Sequence, residues 1–505
     1  MQTNIPRGTV QITLTNAAQY LIMGLFYIIV TKTNTLTQQD IGALSVLSFL
    51  SSTIILITTL ALPTALTKFT SEKIGKNDPK EAASIRKTIT KTVMTLSLIV
   101  FTAASLLSSQ ISQTLLGSSN YIDLIILTLI YTTLYNIITL YNSTLQAIYL
   151  FGEMATVTLT YITVSRATAV TLTLLNMGLK GVLVGYIAGA VAAIAIAAKF
   201  TRGKLPKTNH PTPLKPILKF SLPLFITNLT ILTLNWADII ILSLLTQDYS
   251  QTGIYYITLN SVSALSILWI PITTTIFPAL SEKHGLKRPE EITDMVKTSS
   301  RYLTYITVPT CIGLAAVSPT ALTFFYGPNY RNGAAPLTIL SIATIIVAAY
   351  SLFATALTAI GKTNQILKIN IIAAITTITL LTLTVPILKT TGAALTRLTT
   401  QLIALTLAIH LLKKEIKVKI DKEALWKSTL ASTATIPILL TTEKTLNTKL
   451  PATQTFIAEV VVAAITYTAA LRALKALKHR DFQLLKQALP KTLTKYINII
   501  EKIAT

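Results

Sequence analysis

The sequence predicts an all-α polytopic membrane protein of about fourteen transmembrane helices. Of its 505 residues, 51% are hydrophobic and only 12% are charged, whereas soluble domains carry roughly 25% charged residues. Apolar stretches of about 20 residues, the length that crosses the hydrocarbon core at about 1.5 Å per residue, recur from end to end. Basic residues concentrate in alternate connecting segments, which is typical of loops on the cytoplasmic side of a membrane.

The predicted spans follow the apolar stretches in chain order. They cover residues 9–31, 41–66, 88–109, 121–149, 155–176, 180–199, 216–245, 252–279, 299–319, 335–360, 366–388, 391–411, 425–441 and 452–474. The longer stretches must tilt, kink or project from the bilayer, because they exceed the thickness of its core.

The distribution of the 43 Lys and Arg residues predicts the orientation. If the spans alternate, most of these residues fall on one side. The other side carries only Lys32, Lys180, Arg331, Lys389, Lys444 and Lys449. Basic loops stay in the cytoplasm, so both termini are predicted to be cytoplasmic, in a multi-pass protein of the cell (plasma) membrane. The net charge of +24 is explained by these loops, and no nucleic-acid partner is predicted.

An internal repeat divides the chain into two halves. Residues 71–81, SEKIGKNDPKE, recur as residues 281–291, SEKHGLKRPEE, each after a long apolar stretch that contains a proline. Six spans in each half give both halves the same orientation, which is a parallel repeat. The predicted domains are an N-lobe (1–199, spans 1–6), a cytoplasmic linker (200–215), a C-lobe (216–412, spans 7–12), two extra helices (413–477, spans 13 and 14) and a cytoplasmic tail (478–505). The tail fits either an interfacial helix or a soluble segment.

Polar residues within the spans are the candidates for a substrate site, because polar groups are costly in lipid. Spans 1 and 7, which correspond in the repeat, each carry such residues on one side of the helix. These residues are Asn16, Gln19 and Tyr20 in span 1 and Asn228, Asn235 and Asp238 in span 7. Matching stripes predict the walls of a shared central cavity. Hydrogen bonding between neighbouring helices is the alternative explanation.

Two arginines lie within spans. Arg166, near the middle of span 5, has no acidic neighbour in the sequence, so it is the candidate for binding an anionic substrate group such as a phosphate. Arg397 in span 12 lies at a depth similar to that of Asp238, which leaves open both a structural ion pair and a functional role. Tyr131 and Tyr135 share a face of span 4 and could stack on sugar rings, although packing within a helical bundle explains them as well.

The sequence offers little for catalysis. It contains no GxxxxGK phosphate loop, and its four histidines lack metal-ligand spacing. We therefore predict no catalytic residue, metal or cofactor, and no enzymatic role. Coupling to sodium, to protons or to the membrane potential is the expected energy source.

Several segments resemble a known family. They are ALPTALTKFTSEKIGKND (61–78), FSLPLFITNLTILTLNWADIIILSLL (220–245), TGIYYITLNSVSALSILWIPITTTIFPALSEKHG (252–285) and FFYGPNYRNGAAPLTILS (324–341). Together they resemble the oligosaccharide flippases, or polysaccharide biosynthesis membrane proteins, of the multidrug/oligosaccharidyl-lipid/polysaccharide exporter superfamily. The resemblance covers about residues 8–412.

The resemblance implies a transporter that works by alternating access. It would move a polyprenyl- or dolichyl-linked oligosaccharide from the cytoplasmic to the outer leaflet for surface polysaccharide or glycoprotein assembly. Membrane lipids and glycan assembly enzymes are the other expected partners. A cation-coupled multidrug exporter of the same superfamily is the alternative, although span 1 lacks the carboxylate that it would use. A flippase for lipid-linked peptidoglycan precursors is a further relative, and a polytopic glycosyltransferase or ligase is less favoured.

The repeat also predicts where the molecule bends. Pro63 and Pro278 should bend spans 2 and 8 at their cytoplasmic ends. Together with Glu72 and Glu282 of the two repeat copies, they are the candidates for a hinge or gate.

Overall fold

The fold is helical throughout the part of the chain that the structure describes. A computed structural model describes residues 5–206, 208, 212–418, 420–446 and 450–476. These residues form seventeen α-helices and three short 3-10 helices, with no strand among them. The predicted all-α fold class is therefore confirmed. The predicted cytoplasmic tail, 478–505, lies outside the described residues.

The helices follow the predicted spans. The first eight are α1 (Ile5–Lys32), α2 (Gln38–Thr59), α3 (Leu62–Gly75), α4 (Pro79–Leu106), α5 (Ser108–Leu116), α6 (Ile122–Ala147), α7 (Phe151–Leu174) and α8 (Gly178–Thr201). The others are α9 (Leu214–Thr246), α10 (Tyr249–Ala264), α11 (Ile270–Gly285), α12 (Pro289–Ala316), α13 (Ser318–Tyr326), α14 (Ala334–Ala359), α15 (Thr363–Lys413), α16 (Lys422–Leu446) and α17 (Ala452–Ala473). Helix α15 contains predicted spans 11 and 12, which meet at non-helical backbone at Lys389.

The chain is a multi-pass membrane protein. Within the described residues, nine helices are long and apolar enough to cross a membrane, and the number rises to eleven with two bent helix pairs. Each predicted span falls on one helix, on two consecutive helices or on one half of α15. Helix α7 is not among these nine helices, because it is rich in threonine and carries Arg166. The count of fourteen spans stays a prediction.

Ion pairs agree with the alternation of the spans. Lys180 pairs with Asp123, and both are predicted to lie on the outer side. Lys362 pairs with Glu415 at 2.7 Å, and both are predicted to lie on the cytoplasmic side. Oppositely charged residues on the same side of a bilayer can meet without crossing it. The orientation itself, with both termini in the cytoplasm, stays a prediction.

Close packing divides the helices into two units. The first contains Met1–Asn260 and Thr377–Thr390, and the second contains Ser261–Thr376 and Thr391–Thr505. Helix α9 and most of α10 thus pack within the first unit. The core of the second unit lies around Leu280, Leu352 and Leu412, which are fully or almost fully buried. The lobe limits drawn from the repeat stay a prediction.

The two repeat copies have the same local structure. A turn joins α3 to α4, and an equivalent turn joins α11 to α12. Its left-handed residue is Asn77 in the first copy and Lys287 in the second, with φ of +56° in both. The next residue donates its backbone N–H to the carbonyl five residues earlier, at 2.9 Å in the first copy and 3.0 Å in the second. Each copy is therefore a helix C-terminal cap followed by a helix that begins with proline.

Lys287→Gly is expected to stabilise the protein by about 0.5–1 kcal/mol, because left-handed backbone strains a side chain that has a Cβ. Asn77→Gly should gain less, since asparagine tolerates this conformation. Thermal unfolding of the two purified variants in detergent measures the difference. A lower unfolding temperature for Lys287→Gly would contradict the expectation.

The chain changes direction near the predicted prolines, but not always at them. In span 2 the break falls at Leu60 and Ala61, which have left-handed backbone immediately before Pro63. In span 8 the α-helix is interrupted by a 3-10 helix at Leu265–Leu268. Pro278 lies further on, inside α11. Proline has no backbone N–H, and an N–H in the first turn of a helix has no partner within that helix. Proline is therefore tolerated at a helix start, so helix breaks tend to fall just before it.

The two repeat glutamates lie at the exposed ends of their helices. Glu72 accepts a hydrogen bond from the Lys76 ammonium at 2.8 Å, and this contact lowers the pKa of the Glu72 carboxyl. Glu282 is exposed at the equivalent position near the end of α11. The hinge role of Pro63, Glu72, Pro278 and Glu282 stays a prediction.

Candidate functional site

The site begins with a close contact between α7 and α8. Helix α8 has glycine at positions 181, 185 and 189, which lie on one face because they are four residues apart. A Cβ at Gly185 would lie 2.6 Å from the backbone nitrogen of Ala169, and one at Gly189 would lie 2.5 Å from Cβ of Ser165. Small residues let helices approach closely in a membrane. The contact therefore fixes Arg166, the residue after Ser165, against α8.

The guanidinium of Arg166, a half-buried residue, lies between two aromatic rings. Its guanidinium carbon lies 4.4 Å from the ring centroid of Tyr186 and 4.9 Å from that of Phe26. Its Nε and Nη1 atoms are buried and have no hydrogen-bond partner within the described residues. A guanidinium stays charged in proteins, and cation–π contacts offset only part of the cost of removing it from water. Two guanidinium nitrogens, which carry three N–H groups, thus have donors available for an anion.

Arg166 lines a cavity of about 190 Å³ within the first packing unit. We call it the tyrosine–arginine cavity. Its other polar residues are tyrosines on four helices and serines on α2. They are Tyr27, Tyr131, Tyr135, Tyr186 and Tyr256 together with Ser48, Ser51 and Ser52. No carboxylate is among the lining residues.

Hydrogen bonds between phenols hold the walls in place. The hydroxyl of Tyr27 donates to that of Tyr256 at 3.1 Å, and the two rings meet edge to face. The hydroxyls of Tyr131 and Tyr161 lie 2.8 Å apart, and the rings of Tyr135 and Tyr161 are 5.3 Å apart. A positively charged cavity with fixed hydroxyl groups can bind an anionic group, such as a phosphate or carboxylate, and repels a cation.

The polar stripe predicted on α1 does not line this cavity. Asn16 is exposed, and Gln19 and Tyr20 are half-buried. Two turns further along the same helix, Phe26 and Tyr27 form the contacts with Arg166 and Tyr256. The predicted role of Asn16, Gln19 and Tyr20 in a central cavity stays a prediction.

The polar stripe on α9 also lies apart from the cavity lining. Asn228 and Asn235 are exposed, whereas Asp238 is buried and accepts a hydrogen bond from the hydroxyl of Tyr255 at 3.0 Å. Arg397, half-buried on α15, belongs to the second packing unit, and Asp238 belongs to the first. Their pairing and their substrate contacts stay predictions.

Sequence reasoning missed part of the cavity. Tyr27, Tyr186 and Tyr256 lie in different helices, and nothing in the sequence shows that they meet around Arg166. Tyr131 and Tyr135 were noticeable because they lie four residues apart on one face of α6. The serines of α2 carried a usable signal, since spacings of three and four residues place them on one side of the helix.

Several solved membrane transporters have a similar fold. The fold is similar to that of the lipid II flippase MurJ in an inward closed conformation, with 14% identity, 90% of this chain and 97% of that chain covered, and a TM-score of 0.72. It is also similar to an inward-facing multidrug resistance MATE family transporter of the MOP superfamily. The two chains are 12% identical, the match covers 78% of this chain and 95% of that chain, and the TM-score is 0.63. A MOP superfamily transporter from Pyrococcus furiosus has a similar fold and is 12% identical. That match covers 81% of this chain and 95% of that chain, with a TM-score of 0.57.

Comparison with curated proteins gives no match. The family resemblance inferred from the sequence is nevertheless confirmed by a family model, and the solved structures share the expected fold. The model of the polysaccharide biosynthesis protein family matches residues 5–284. Since this match covers more than half of the 505 residues, the chain belongs to the polysaccharide biosynthesis protein family.

Proposed function

We propose that the chain is an alternating-access flippase. It moves a polyprenyl- or dolichyl-linked oligosaccharide from the cytoplasmic to the outer leaflet of the plasma membrane, for surface polysaccharide or glycoprotein assembly. Family membership and a fold similar to that of a lipid II flippase support this assignment. Glycan assembly enzymes would supply and consume the lipid-linked sugar.

The tyrosine–arginine cavity is the observation that carries the proposal. Lipid-linked oligosaccharides contain phosphate next to the first sugar, and the buried Nε and Nη1 atoms of Arg166 have no acceptor within the described residues. Guanidinium groups bind phosphate with charge-assisted hydrogen bonds, which are about twice as strong as neutral ones. The surrounding phenols and serine hydroxyls offer further hydrogen-bonding groups for a phosphorylated sugar.

The same cavity disfavours the multidrug exporter. A lipophilic cation in this cavity would lie close to the Arg166 guanidinium, and repulsion between like charges is stronger inside a protein than in water. No carboxylate among the lining residues compensates for that charge. The cavity therefore selects for anions.

Purified protein in liposomes is expected to move a fluorescent polyprenyl-diphosphate sugar between leaflets. Chemical quenching of the probe in the outer leaflet measures the movement. Imposed sodium, proton and potassium-diffusion gradients, applied one at a time, identify the coupling source, which we propose to be a cation gradient or the membrane potential.

The control uses the same liposomes with a cationic dye in place of the lipid. No dye movement is expected under any gradient. Dye efflux without movement of the lipid-linked sugar would overturn the flippase proposal and favour a multidrug exporter.

A further inference from the structure

A second feature of the first packing unit is a long apolar groove. It has a volume of about 540 Å³ and runs between α4 and α6. We call it the α4/α6 groove. Its walls are Met94, Thr95, Leu98 and Phe101 of α4 and Ile130, Thr133 and Leu134 of α6. Thr133 donates its hydroxyl to its own helix at the carbonyl of Leu129, 2.9 Å away, so this hydroxyl presents no free donor to the groove.

One lysine marks one end of the groove. Lys91 lines it and is exposed, and the charge pattern of the sequence predicts that this residue lies on the cytoplasmic side. No acidic residue in the described part of the chain pairs with it. From Lys91 to Phe101 the helix rises about 15 Å, which is about half the hydrocarbon thickness. The groove is therefore apolar along its length and cationic at its cytoplasmic end.

Helix α6 separates the groove from the tyrosine–arginine cavity. Ile130, Thr133 and Leu134 face the groove, whereas Tyr131 and Tyr135 line the cavity. A single helix thus presents hydrocarbon-binding residues on one face and polar residues on the adjacent face. A substrate with a long apolar chain and a phosphorylated sugar needs both environments close together.

We propose that the α4/α6 groove binds the isoprenoid chain of a polyprenyl phosphate, with the phosphate at Lys91, as the loading position for transport. The occupant is a lipid with an anionic phosphate, because the groove walls are apolar and one exposed lysine lies at one end of the groove. This inference rests on the proposed function, since it identifies where the substrate lipid is held.

Photo-crosslinking tests the groove directly. A polyprenyl phosphate with diazirines along the first isoprene units of its chain is added to the full-length protein in nanodiscs, and labelled peptides are mapped by mass spectrometry. Labelling is expected in residues 91–101 and 130–134. An excess of unlabelled polyprenyl phosphate should remove it, and an excess of phosphatidylglycerol should not.

Matched variants test the Lys91 charge and the apolar walls of the α4/α6 groove separately. Lys91→Met is expected to reduce labelling of the groove about tenfold, because one charge-assisted contact is lost. Lys91→Arg should retain the labelling. Leu98→Trp, which fills the channel, should also reduce labelling. The controls are Lys199→Met, an exposed lysine at the end of α8, and Leu106→Trp, a highly exposed position on α4 that does not line the groove.

The outcomes distinguish this inference from the proposed function. Labelling that maps to other helices, or that phosphatidylglycerol removes equally well, overturns the groove assignment and leaves the flippase proposal standing. No specific labelling anywhere on the wild-type protein overturns both. Labelling that is unchanged in Lys91→Met and Leu98→Trp also overturns the groove assignment.

Discussion

Arg166→Gln is expected to reduce binding and flipping of a polyprenyl-diphosphate sugar by about 10- to 100-fold. Hydrogen bonds to charged groups contribute about 1.5–3 kcal/mol, and each 1.4 kcal/mol corresponds to a factor of ten. Glutamine keeps a polar side chain but loses the charge and the forked donors. Initial flipping rates in liposomes and equilibrium binding of the fluorescent lipid measure the loss.

The same substitution should leave the unfolding temperature unchanged or raise it. The Nε and Nη1 atoms of Arg166 are buried without a hydrogen-bond partner within the described residues, and removing such groups relieves a desolvation cost. A residue that serves only packing would behave in the opposite way, with stability and transport falling together. Arg166→Lys should retain part of the activity, and Arg202→Gln, at an exposed position after α8, is the charge-matched control. Full activity of Arg166→Gln would remove the cavity from the mechanism.

Gly42→Ala is expected to lower stability by about 1–3 kcal/mol, the usual cost of overpacking. Gly42 lies where α2 crosses α10, and a Cβ there would be 1.9 Å from the backbone oxygen of Tyr249. A Cβ at Gly253, on the facing helix, would be 2.0 Å from the backbone oxygen of Gln38. Backbone cannot move aside as a flexible side chain can, so the helices must separate. Thermal unfolding in detergent measures the effect.

The matched control is Gly24→Ala. Gly24 lies inside α1, and nothing lies within 4 Å of a Cβ placed there. Alanine favours a helix over glycine by about 1 kcal/mol, so this variant should be neutral or more stable. Because the crossing also places α10 and its Tyr256 beside α1, Gly42→Ala should slow flipping as well. Equal stability of the two variants would show that the α2–α10 contact is looser than the structure describes.

The fold could be predicted from the sequence because lipid imposes simple rules. Apolar length determines where helices form, and basic loops alternate with spans whatever the tertiary packing is. Even the boundary between spans 11 and 12 was visible, and the structure has non-helical backbone there at Lys389. The interruption in span 8 falls just before Pro271, whereas the predicted hinge proline is Pro278. The sequence does not reveal which of these two prolines follows a helix break.

The candidate site was only partly predictable. Arg166 stood out because a lone cation in a membrane span is costly and rare. Its neighbours Phe26 and Tyr186 come from α1 and α8, and their contact with it depends on the glycine face of α8 packing against α7. Such a contact is a property of three helices together, and no spacing within a single helix encodes it.

The hydrogen bond between Tyr27 and Tyr256 has a consequence for biogenesis. The two residues are 229 positions apart, so at a synthesis rate of about 5–20 residues per second the ribosome needs roughly ten to fifty seconds to supply the second tyrosine after the first. The first packing unit also includes Thr377–Thr390, which is made later still. During that interval the early helices lie in the bilayer with Arg166 and its phenols only partly enclosed. These polar groups complete their contacts only when the later helices arrive.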